Sequence, residues 1–395
     1  MDRGRNPFVP GAGTRPPELA GRSEVVDDVR ATFQRLAGGR PAQPPVFFGL
    51  RGVGKTVLLR GTRDIAEEDG LALIYVEASD GKSLPALLVP GIRAALLELS
   101  AVQAASVQAK RALGALKAFI SGFKLSYGGF DLSYDATAGV ADTGDIEVDV
   151  PDLLVELGKA AKSAGRVVAI FFDEMQILRR KEFGALIMAM HRINQEALPV
   201  GFVGAGLPQV LGLAGNAKSY AERLFKFVPI GALPEADATA AIEQPARALN
   251  VTFEQGAVSQ ILEATQRYPY FLQQWAHDAW NVARDEKTIT WSDVLDATDI
   301  AHRALDQSFF KVRYDRCSAQ ERQYMRGMAE LGQGAHASAD IANIIGVDAR
   351  TASRLRGMLI KKSMIYSSTD GLSFTVPLFD EFMRRAIPNF VAKSR

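Results

Sequence analysis

Up to residue 230, two patterns of apolar positions alternate along the chain. Short continuous runs rich in β-branched and aromatic residues are typical of strands buried on both faces, and they occur at 46–48, 71–76, 167–172, 200–203 and 225–230. Apolar residues spaced three or four apart predict helices at 24–37, from about 57, and at 84–99, 101–120, 151–164 and 182–196. Strands that alternate with helices indicate an α/β fold with a parallel, doubly wound sheet.

This alternation is interrupted over about 100–150. Residues 123–134 alternate in polarity around Gly128-Gly129, which predicts a hairpin. Residues 139–149 are acidic and predicted to be irregular. We interpret this stretch as an insertion into the α/β domain.

Beyond Pro234 the strand pattern stops, and four segments with helical spacing predict a compact helical lid: 238–248, 255–265, 270–284 and 291–308. Further on, the pattern predicts a helix that ends in a glycine turn over 340–348 and a second helix over 349–362. A short hairpin is predicted from the segments 364–366 and 372–376. This order is typical of a winged helix. The first 20 residues are rich in Gly, Pro and Arg and predict an extended arm. The predicted division is 1–20, 21–232, 233–308 and 309–395.

Composition narrows the class of protein. The 395 residues carry a net charge of +1 and are 47% hydrophobic, which argues against a wholly disordered or histone-like chain. The single cysteine, Cys317, excludes an intrachain disulfide, and the four histidines lack metal-ligand spacing. The N-terminus has no apolar signal segment, and every apolar run is too short to cross a bilayer. We therefore expect a cytoplasmic protein with no membrane association.

Residues 49–56, GLRGVGKT, match the phosphate-binding pattern G-x-x-x-x-G-K-[ST] between a predicted strand and a predicted helix. Glycines let backbone N–H groups surround phosphate oxygens, and the start of the helix adds its dipole. Lys55 would contact the β- and γ-phosphates, and Thr56 would bind Mg²⁺. The alternative is a glycine-rich turn without a ligand. The expected nucleotide-binding residues are Gly49, Arg51, Gly52, Val53, Gly54, Lys55, Thr56 and Val57.

A second motif follows the apolar run 167–172, which ends in the adjacent carboxylates Asp173 and Glu174. Two acids at the end of a buried strand are costly unless a cation or water faces them. Asp173 would hold Mg²⁺, and Glu174 would act as the general base toward the attacking water. The alternative is a solvated strand end, which the pairing with the upstream phosphate loop disfavours.

Together with the helical lid, these two motifs resemble the AAA+ superfamily of P-loop ATPases. The chain is most similar to the archaeal-type and origin-recognition-like members and the related STAND NTPases, in forms found in bacteria and often in actinobacteria. The resemblance spans about 15–390. It implies an ATPase that takes ATP or ADP and Mg²⁺.

The resemblance also implies roles for residues near the base. Gly21 and Arg22 match the box before the first strand that packs beside adenine; the alternative is a helix cap at Ser23 with Arg22 in solvent. Pro269 matches the proline of the lid motif G-x-P, although Arg267 stands at its glycine position. Arg267 is a candidate sensor 2 arginine, and a helix that begins at Pro269 explains that proline without a ligand.

Two further segments bear on hydrolysis. The family has a polar sensor 1 residue at the end of the 200–203 strand, where this chain has Gly204-Ala205-Gly206; Gln209 is a weak substitute. Arg223 matches an arginine that reaches the γ-phosphate of a neighbouring subunit, which implies a homo-oligomer. A salt bridge to Glu222 or Glu235 is the alternative. His191-Arg192 is a weaker competitor for the same role.

The second helix of the predicted winged helix is basic, with no acid over 349–362. Clustered cations select phosphates, and a helix can enter the major groove of duplex DNA. Winged helices also bind proteins, so both a double-stranded DNA partner and a protein partner stay open. The candidate DNA-binding residues are Arg350, Arg354, Arg356, Lys361 and Lys362.

Two functions follow. The first is Mg²⁺-dependent ATP hydrolysis that couples the nucleotide state to a DNA- or partner-binding winged helix. The alternative is a switch that binds nucleotide tightly, hydrolyses it slowly and docks a protein partner, and the missing polar sensor 1 favours it.

Overall fold

The computed structural model of the protein describes residues 1–11, 20–102, 106–125 and 135–393. They form two compact units. The sheet unit comprises Arg22–Gly49 and Lys55–Ile230, and the helical unit comprises Met1–Gly21, Leu50–Gly54 and Gly231–Arg395.

The sheet unit is built on the parallel sheet that the sequence predicts. Its strands are β1 (Pro45–Phe48), β2 (Ala72–Glu77), β3 (Val168–Asp173), β4 (Val200–Gly206) and β5 (Lys226–Pro229). They pair in the order β2-β3-β4-β1-β5, and every pairing is parallel. All residues of β3 and β4 are buried, as expected for central strands covered on both faces.

Helices of this unit lie at or near the predicted positions: α1 (Ser23–Ala37), α2 (Lys55–Glu68), α3 (Leu84–Ser100), α4 (Ser106–Gly122), α5 (Ile146–Ser163) and α6 (Arg180–Gln195). The apolar pattern did not predict α7 (Gln209–Ala217) and α8 (Ala221–Leu224). The start of α5 differs from the prediction of an irregular segment over 139–149. The helix begins at Ile146 because the Asp145 carboxylate accepts a hydrogen bond from the Glu147 N–H (3.0 Å) and caps it.

The region predicted as an insertion contributes α4 to the sheet unit. Apolar side chains of α4, among them Leu113, Leu116 and Phe119, are fully buried in the same hydrophobic core as the strands. Arg111 on α4 lies 3.0 Å from the buried Glu156 carboxylate on α5. The predicted hairpin falls mainly on 126–134, which lie outside the described residues.

The helical unit has its own core. The predicted lid helices are α9 (Glu235–Arg247), α10 (Gln255–Thr265), α11 (Pro269–Val282) and α12 (Trp291–Leu305), and a π-helical turn continues α12 over Asp306–Phe310. The expectation that strands stop after Pro234 is wrong. Two-residue strands, β6 (Thr252–Phe253) and β7 (Thr288–Ile289), pair in parallel, and they are too short to leave a periodic pattern.

Residues 1–11, expected to be extended, pack against this core through Phe8 and Met1. Phe8 is 1% exposed and makes edge-on contacts with Phe253 and Trp280. The backbone also makes one 3₁₀ turn at Arg3–Arg5.

The C-terminal part of the helical unit contains α13 (Lys311–Asp315), α14 (Ala319–Glu330), α15 (Ser338–Ile345), α16 (Ala349–Lys361), β8 (Ile365–Ser368), β9 (Gly371–Phe374) and α17 (Phe379–Ala386). The C-cap of α15 is Gly346, which has φ +68°, as the predicted glycine turn requires. β8 and β9 form an antiparallel hairpin in which Ile365 pairs with Phe374.

None of the helices in these described ranges is both long and apolar enough to cross a membrane.

Candidate functional site

The phosphate-loop motif lies between β1 and α2, as predicted. Gly52 (φ +80°) and Gly54 (φ +89°) adopt left-handed backbone conformations that favour glycine. α2 begins at Lys55, so the N–H groups of its first turn follow directly on the loop. The Lys55 ammonium donates a hydrogen bond to the Gly49 carbonyl (3.0 Å). The strand–loop–helix context that phosphate binding requires is therefore present.

The middle of this loop, Leu50–Gly54, belongs to the helical unit. Within that unit the Arg51 N–H donates to the Thr375 carbonyl (2.9 Å), and the Gly52 carbonyl accepts from the Tyr270 N–H (3.1 Å). A Cβ on Gly52 would lie 3.2 Å from the Tyr270 Cβ. Gly52 is therefore required by both its φ and its neighbour.

Thr56 and Asp173, the two predicted metal ligands, come together in the sheet unit. Asp173 is the last residue of β3 and is 3% exposed. Its carboxylate accepts hydrogen bonds from the Thr56 hydroxyl and from the Glu174 N–H (2.8 Å). Burial raises the pKa of Asp173, while these hydrogen bonds and the Lys55 charge act in the opposite direction.

This pair of donors fits Mg²⁺. A hydroxyl and a carboxylate are hard oxygen ligands, and Mg²⁺ usually takes only one or two protein ligands, with the remainder from water and phosphates. The described residues contain no cluster of three or more His, Cys, Asp or Glu that could form an all-protein metal cage. Thr56 and Asp173 are oxygen donors of the kind that Mg²⁺ takes when water and phosphates supply its other ligands.

Glu174, the predicted general base, follows β3 directly and is half-buried. Its backbone has φ +56° and ψ +38°, a left-handed conformation that is unusual for a residue other than glycine. A Gln176 side-chain N–H donates to the Glu174 carboxylate. The Gln176 side-chain oxygen in turn accepts from the Leu207 N–H (2.8 Å).

Sequence reasoning missed Gln176. It lies on a 3₁₀ turn, Met175–Ile177, that the apolar pattern does not reveal. The one available signal was an amide side chain two residues after the Asp-Glu pair. Gln209, the weak substitute for a polar sensor, is half-buried at the first position of α7.

Arg223, the predicted trans-acting arginine, is exposed on α8. Neither Glu222 nor Glu235 pairs with it among the residues described, so the salt-bridge alternative is not observed. The competing Arg192 donates to the Asp152 carboxylate, an ion pair that ties it to α5. In the described part of the chain, Arg223 is thus the candidate whose guanidinium is exposed and has no carboxylate partner.

The residues expected near the base occupy helix starts. Arg22 is the N-cap of α1 and Ser23 its first residue, with no side-chain capping bond from Arg22, so the alternative of a cap at Ser23 is not observed. Gly21 has φ +67°, and a Cβ there would lie 2.7 Å from the Asp237 carboxylate in the helical unit. Gly21 therefore permits a close approach to the start of α9.

Pro269 is the first residue of α11, as the ligand-free interpretation of that proline expected. Arg267, at the glycine position of the lid motif, has φ +60°. Its carbonyl accepts from the Leu233 N–H (3.0 Å). Arg267 thus has a left-handed backbone conformation of the kind that favours glycine, at the position where the lid motif has its glycine.

The basic helix α16 is partly committed to internal contacts. The Lys362 ammonium donates to the buried Glu321 carboxylate (2.7 Å), and Arg354 donates to the side chain of Gln320 (2.9 Å). Although burial raises the pKa of Glu321, the hydrogen bonds from Lys362 and Ser318 lower it below its ordinary value. In the described C-terminal segment, the cations of this set that have no carboxylate partner are Arg350, Arg354, Arg356 and Lys361.

Comparison with known families gives two matches. Residues 18–203 match the AAA ATPase domain, and residues 307–383 match a domain of unknown function (DUF8462). A search of curated proteins gives no match.

Several solved structures are similar in fold. The Walker-type ATPase PABY2304 of Pyrococcus abyssi matches over 94% of this chain and 97% of its own, at 16% identity and a TM-score of 0.57. The Aeropyrum pernix ORC1 protein, solved in complex with DNA, matches over 96% of both chains at 17% identity and a TM-score of 0.49. The Thermotoga maritima RuvB Holliday junction branch migration motor covers 92% of this chain and 96% of its own, at 14% identity and a TM-score of 0.44. At 16% identity the Pyrococcus structure shows a shared fold.

Proposed function

We propose, on the premise that residues 18–203 form a nucleotide-binding AAA ATPase domain with a P-loop fold, that this protein binds ATP with Mg²⁺ and hydrolyses it. The observation that carries the proposal is the convergence of Thr56 and Asp173 beside the phosphate loop. Their oxygens meet where a nucleotide-borne cation would need them. In this proposal the nucleotide state sets the behaviour of the C-terminal module.

Each predicted residue has a distinct task in this proposal. Lys55 and the loop amides bind and orient the phosphates; the loop residues are Gly49, Arg51, Gly52, Val53, Gly54 and Val57. Thr56 and Asp173 hold Mg²⁺, which supplies charge stabilisation to the transferring phosphoryl group. Glu174 accepts a proton from the attacking water. Gly21, Arg22 and Pro269 are assigned to contacts with the base.

Arg223 completes the site from a neighbouring subunit in this account. Arg223 is exposed and has no carboxylate partner among the described residues. Both features support this role, because a guanidinium that stabilises charge in trans must be able to extend toward the neighbouring subunit. The proposal therefore includes a homo-oligomer.

The C-terminal module, 309–395, is proposed to be a winged helix that follows a lid over 233–308, with the core at 21–232 and an arm at 1–20. The order α15, α16 and the hairpin of β8 and β9 supports it. Duplex DNA is the proposed partner of α16, because Arg350, Arg354, Arg356 and Lys361 have no carboxylate partner in the part of the chain described. Lys362 is assigned a smaller share, since Glu321 holds it.

A second candidate is a slow nucleotide switch that docks a protein. The observation that favours it is the absence of a polar side chain over Gly204-Ala205-Gly206 at the end of β4.

Nucleotide binding and turnover, measured with and without duplex DNA, separate the two candidates. Wild type should bind a fluorescent ATP analogue, and Lys55→Ala should weaken binding at least about tenfold because it removes a charge that faces the phosphates. Turnover that DNA stimulates supports the first function. Negligible turnover with tightly retained nucleotide supports the switch. Unchanged binding by Lys55→Ala would refute the phosphate-loop assignment.

A further inference from the structure

The end of β4 lacks polar side chains, but the space beside it is filled from the turn that follows β3. A Cβ built on Gly204 would lie 2.2 Å from the sulfur of Met175, which is fully buried. A Cβ on Gly206 would lie 3.0 Å from the side-chain oxygen of Gln176. Met175 and Gln176 therefore occupy the room that side chains on β4 would otherwise need.

The Gln176 amide has a forced orientation. The Leu207 N–H can only donate, so the group that faces it at 2.8 Å is the Gln176 oxygen. The Gln176 NH₂ group must then point away from Leu207, and it donates to the Glu174 carboxylate. One amide thus connects the backbone at the end of β4 to the carboxylate of the predicted base.

Glu174 is held at its backbone as well. Its left-handed conformation is unfavourable for a residue with a Cβ. Its N–H donates to the Asp173 carboxylate, which partly compensates. A side chain on such a turn can adopt several rotamers, and the Gln176 bond selects among them.

We propose that Gln176 is a positioning residue that orients the Glu174 carboxylate toward the attacking water. It would supply, from the turn after β3, the polar group that β4 lacks. The inference rests on the proposed ATPase function, since it assigns a residue that acts through the base of that reaction. It also removes the main reason for expecting slow hydrolysis, because a polar group is present beside β4 after all.

Two substitutions separate the amide's two bonds. Gln176→Glu keeps an acceptor for the Leu207 N–H and loses the donor to Glu174, whereas Gln176→Met keeps the volume and loses both. Both variants should lower kcat about tenfold to a hundredfold with the Kd for ATP within about twofold of wild type, because misoriented groups slow the step without weakening binding. Gln195→Met, at an exposed position at the end of α6, is the matched control and should leave kcat unchanged.

A double-mutant cycle then tests whether Gln176 acts through Glu174. In a Glu174→Gln background, Gln176→Met should cause no further loss of kcat beyond about twofold, because the group that it positions is already gone. A merely structural role would give losses that multiply. The thermal midpoint of each variant, measured in parallel, shows whether it is folded; if Gln176→Met is not, Gln176→Glu carries the test.

The outcomes are distinct. Wild type that hydrolyses ATP while both Gln176 variants match or exceed its kcat overturns this inference alone. Losses that multiply in the cycle overturn it as well. Wild type without any turnover overturns the proposed ATPase function and this inference with it.

Discussion

At the scale of single residues, the Gln176 amide connects the Leu207 N–H at the end of β4 to the Glu174 carboxylate. Lys55, Thr56, Asp173 and Glu174 lie within two short motifs whose chemistry is local, so their spacing predicts their roles. Gln176 matters only because the turn after β3 brings its amide to the Leu207 N–H. That contact joins residues far apart in the chain, and no periodicity encodes it.

The buried Asp173 carboxylate should lower the stability of the protein when no nucleotide is bound. Burial raises its pKa, so the folded protein binds this proton more readily than the unfolded chain does. Such a group adds stability below its unfolded pKa near 3.8, and this contribution is lost as the pH rises through the folded pKa. Asp173→Asn should therefore raise Tm at pH 7.5, by about 2–4 °C for each kcal/mol recovered.

Scanning calorimetry without nucleotide measures this effect. The gain should shrink at a lower pH, once the wild-type Asp173 carboxyl has become protonated. Asp27→Asn, an exposed carboxylate on α1, should leave Tm unchanged at either pH. A lower Tm for Asp173→Asn at pH 7.5 would contradict the stated cause of the raised pKa.

At the scale of elements, apolar spacing predicted the five strands of the sheet and the helices α1 to α6, because each buries a face over many residues. It did not predict α7 and α8. It failed where a few polar contacts decide the outcome. The cap at Asp145 starts α5 early, and the strands β6 and β7 are too short to show a pattern. Apolar spacing also did not predict that the turn after β3 approaches β4 closely, since this approach depends on the missing side chains of Gly204 and Gly206.

Gly204→Ala tests this close approach. The new Cβ would lie 2.2 Å from the Met175 sulfur and 3.0 Å from a Phe202 ring carbon. Gly204, Met175 and Phe202 are all buried, so no solvent-exposed space is available into which these side chains could move. Overpacking of this kind costs about 1–3 kcal/mol in the free energy of unfolding. Urea denaturation should report the loss.

Gly212→Ala is the matched control for this substitution. Gly212 lies on α7, and apart from its chain neighbours and the nearby backbone of its own helix, no described atom lies within 4 Å of the position that an added Cβ would take. Alanine there should be neutral or stabilising by up to about 1 kcal/mol. Equal stability of Gly204→Ala and wild type would show that the turn after β3 does not fill the space beside β4.

At the scale of the whole molecule, net charge is uninformative because opposite charges cancel over 395 residues. The distribution of ion pairs is more telling. α16 carries a surplus of cations, and only Lys362 among the five candidates has a carboxylate partner in the described part of the chain. The sequence predicted the excess of basic residues over 349–362. It could not distinguish the cations that pair with carboxylates from those that are available to bind a ligand.

Arg350→Ala/Arg354→Ala should weaken binding to duplex DNA and reduce the slope of log K against log salt by about 2, because each phosphate contact contributes about 0.9 to that slope. Fluorescence anisotropy with a short labelled duplex across a salt series measures both quantities. Arg40→Ala/Lys181→Ala removes two exposed cations of the sheet unit and should leave the slope unchanged. A wild type without affinity at low salt would exclude DNA as the partner of α16.

The central claim is that Asp173 and Glu174 serve a Mg²⁺-dependent ATP hydrolysis, and release of inorganic phosphate from ATP by Glu174→Gln tests it most directly. Glutamine keeps the size of the side chain but cannot accept the proton of the attacking water. We predict a Kd for ATP within about twofold of wild type and phosphate release at least about a hundredfold slower, as loss of a general base costs. Phosphate release by Glu174→Gln at the wild-type rate would contradict the account.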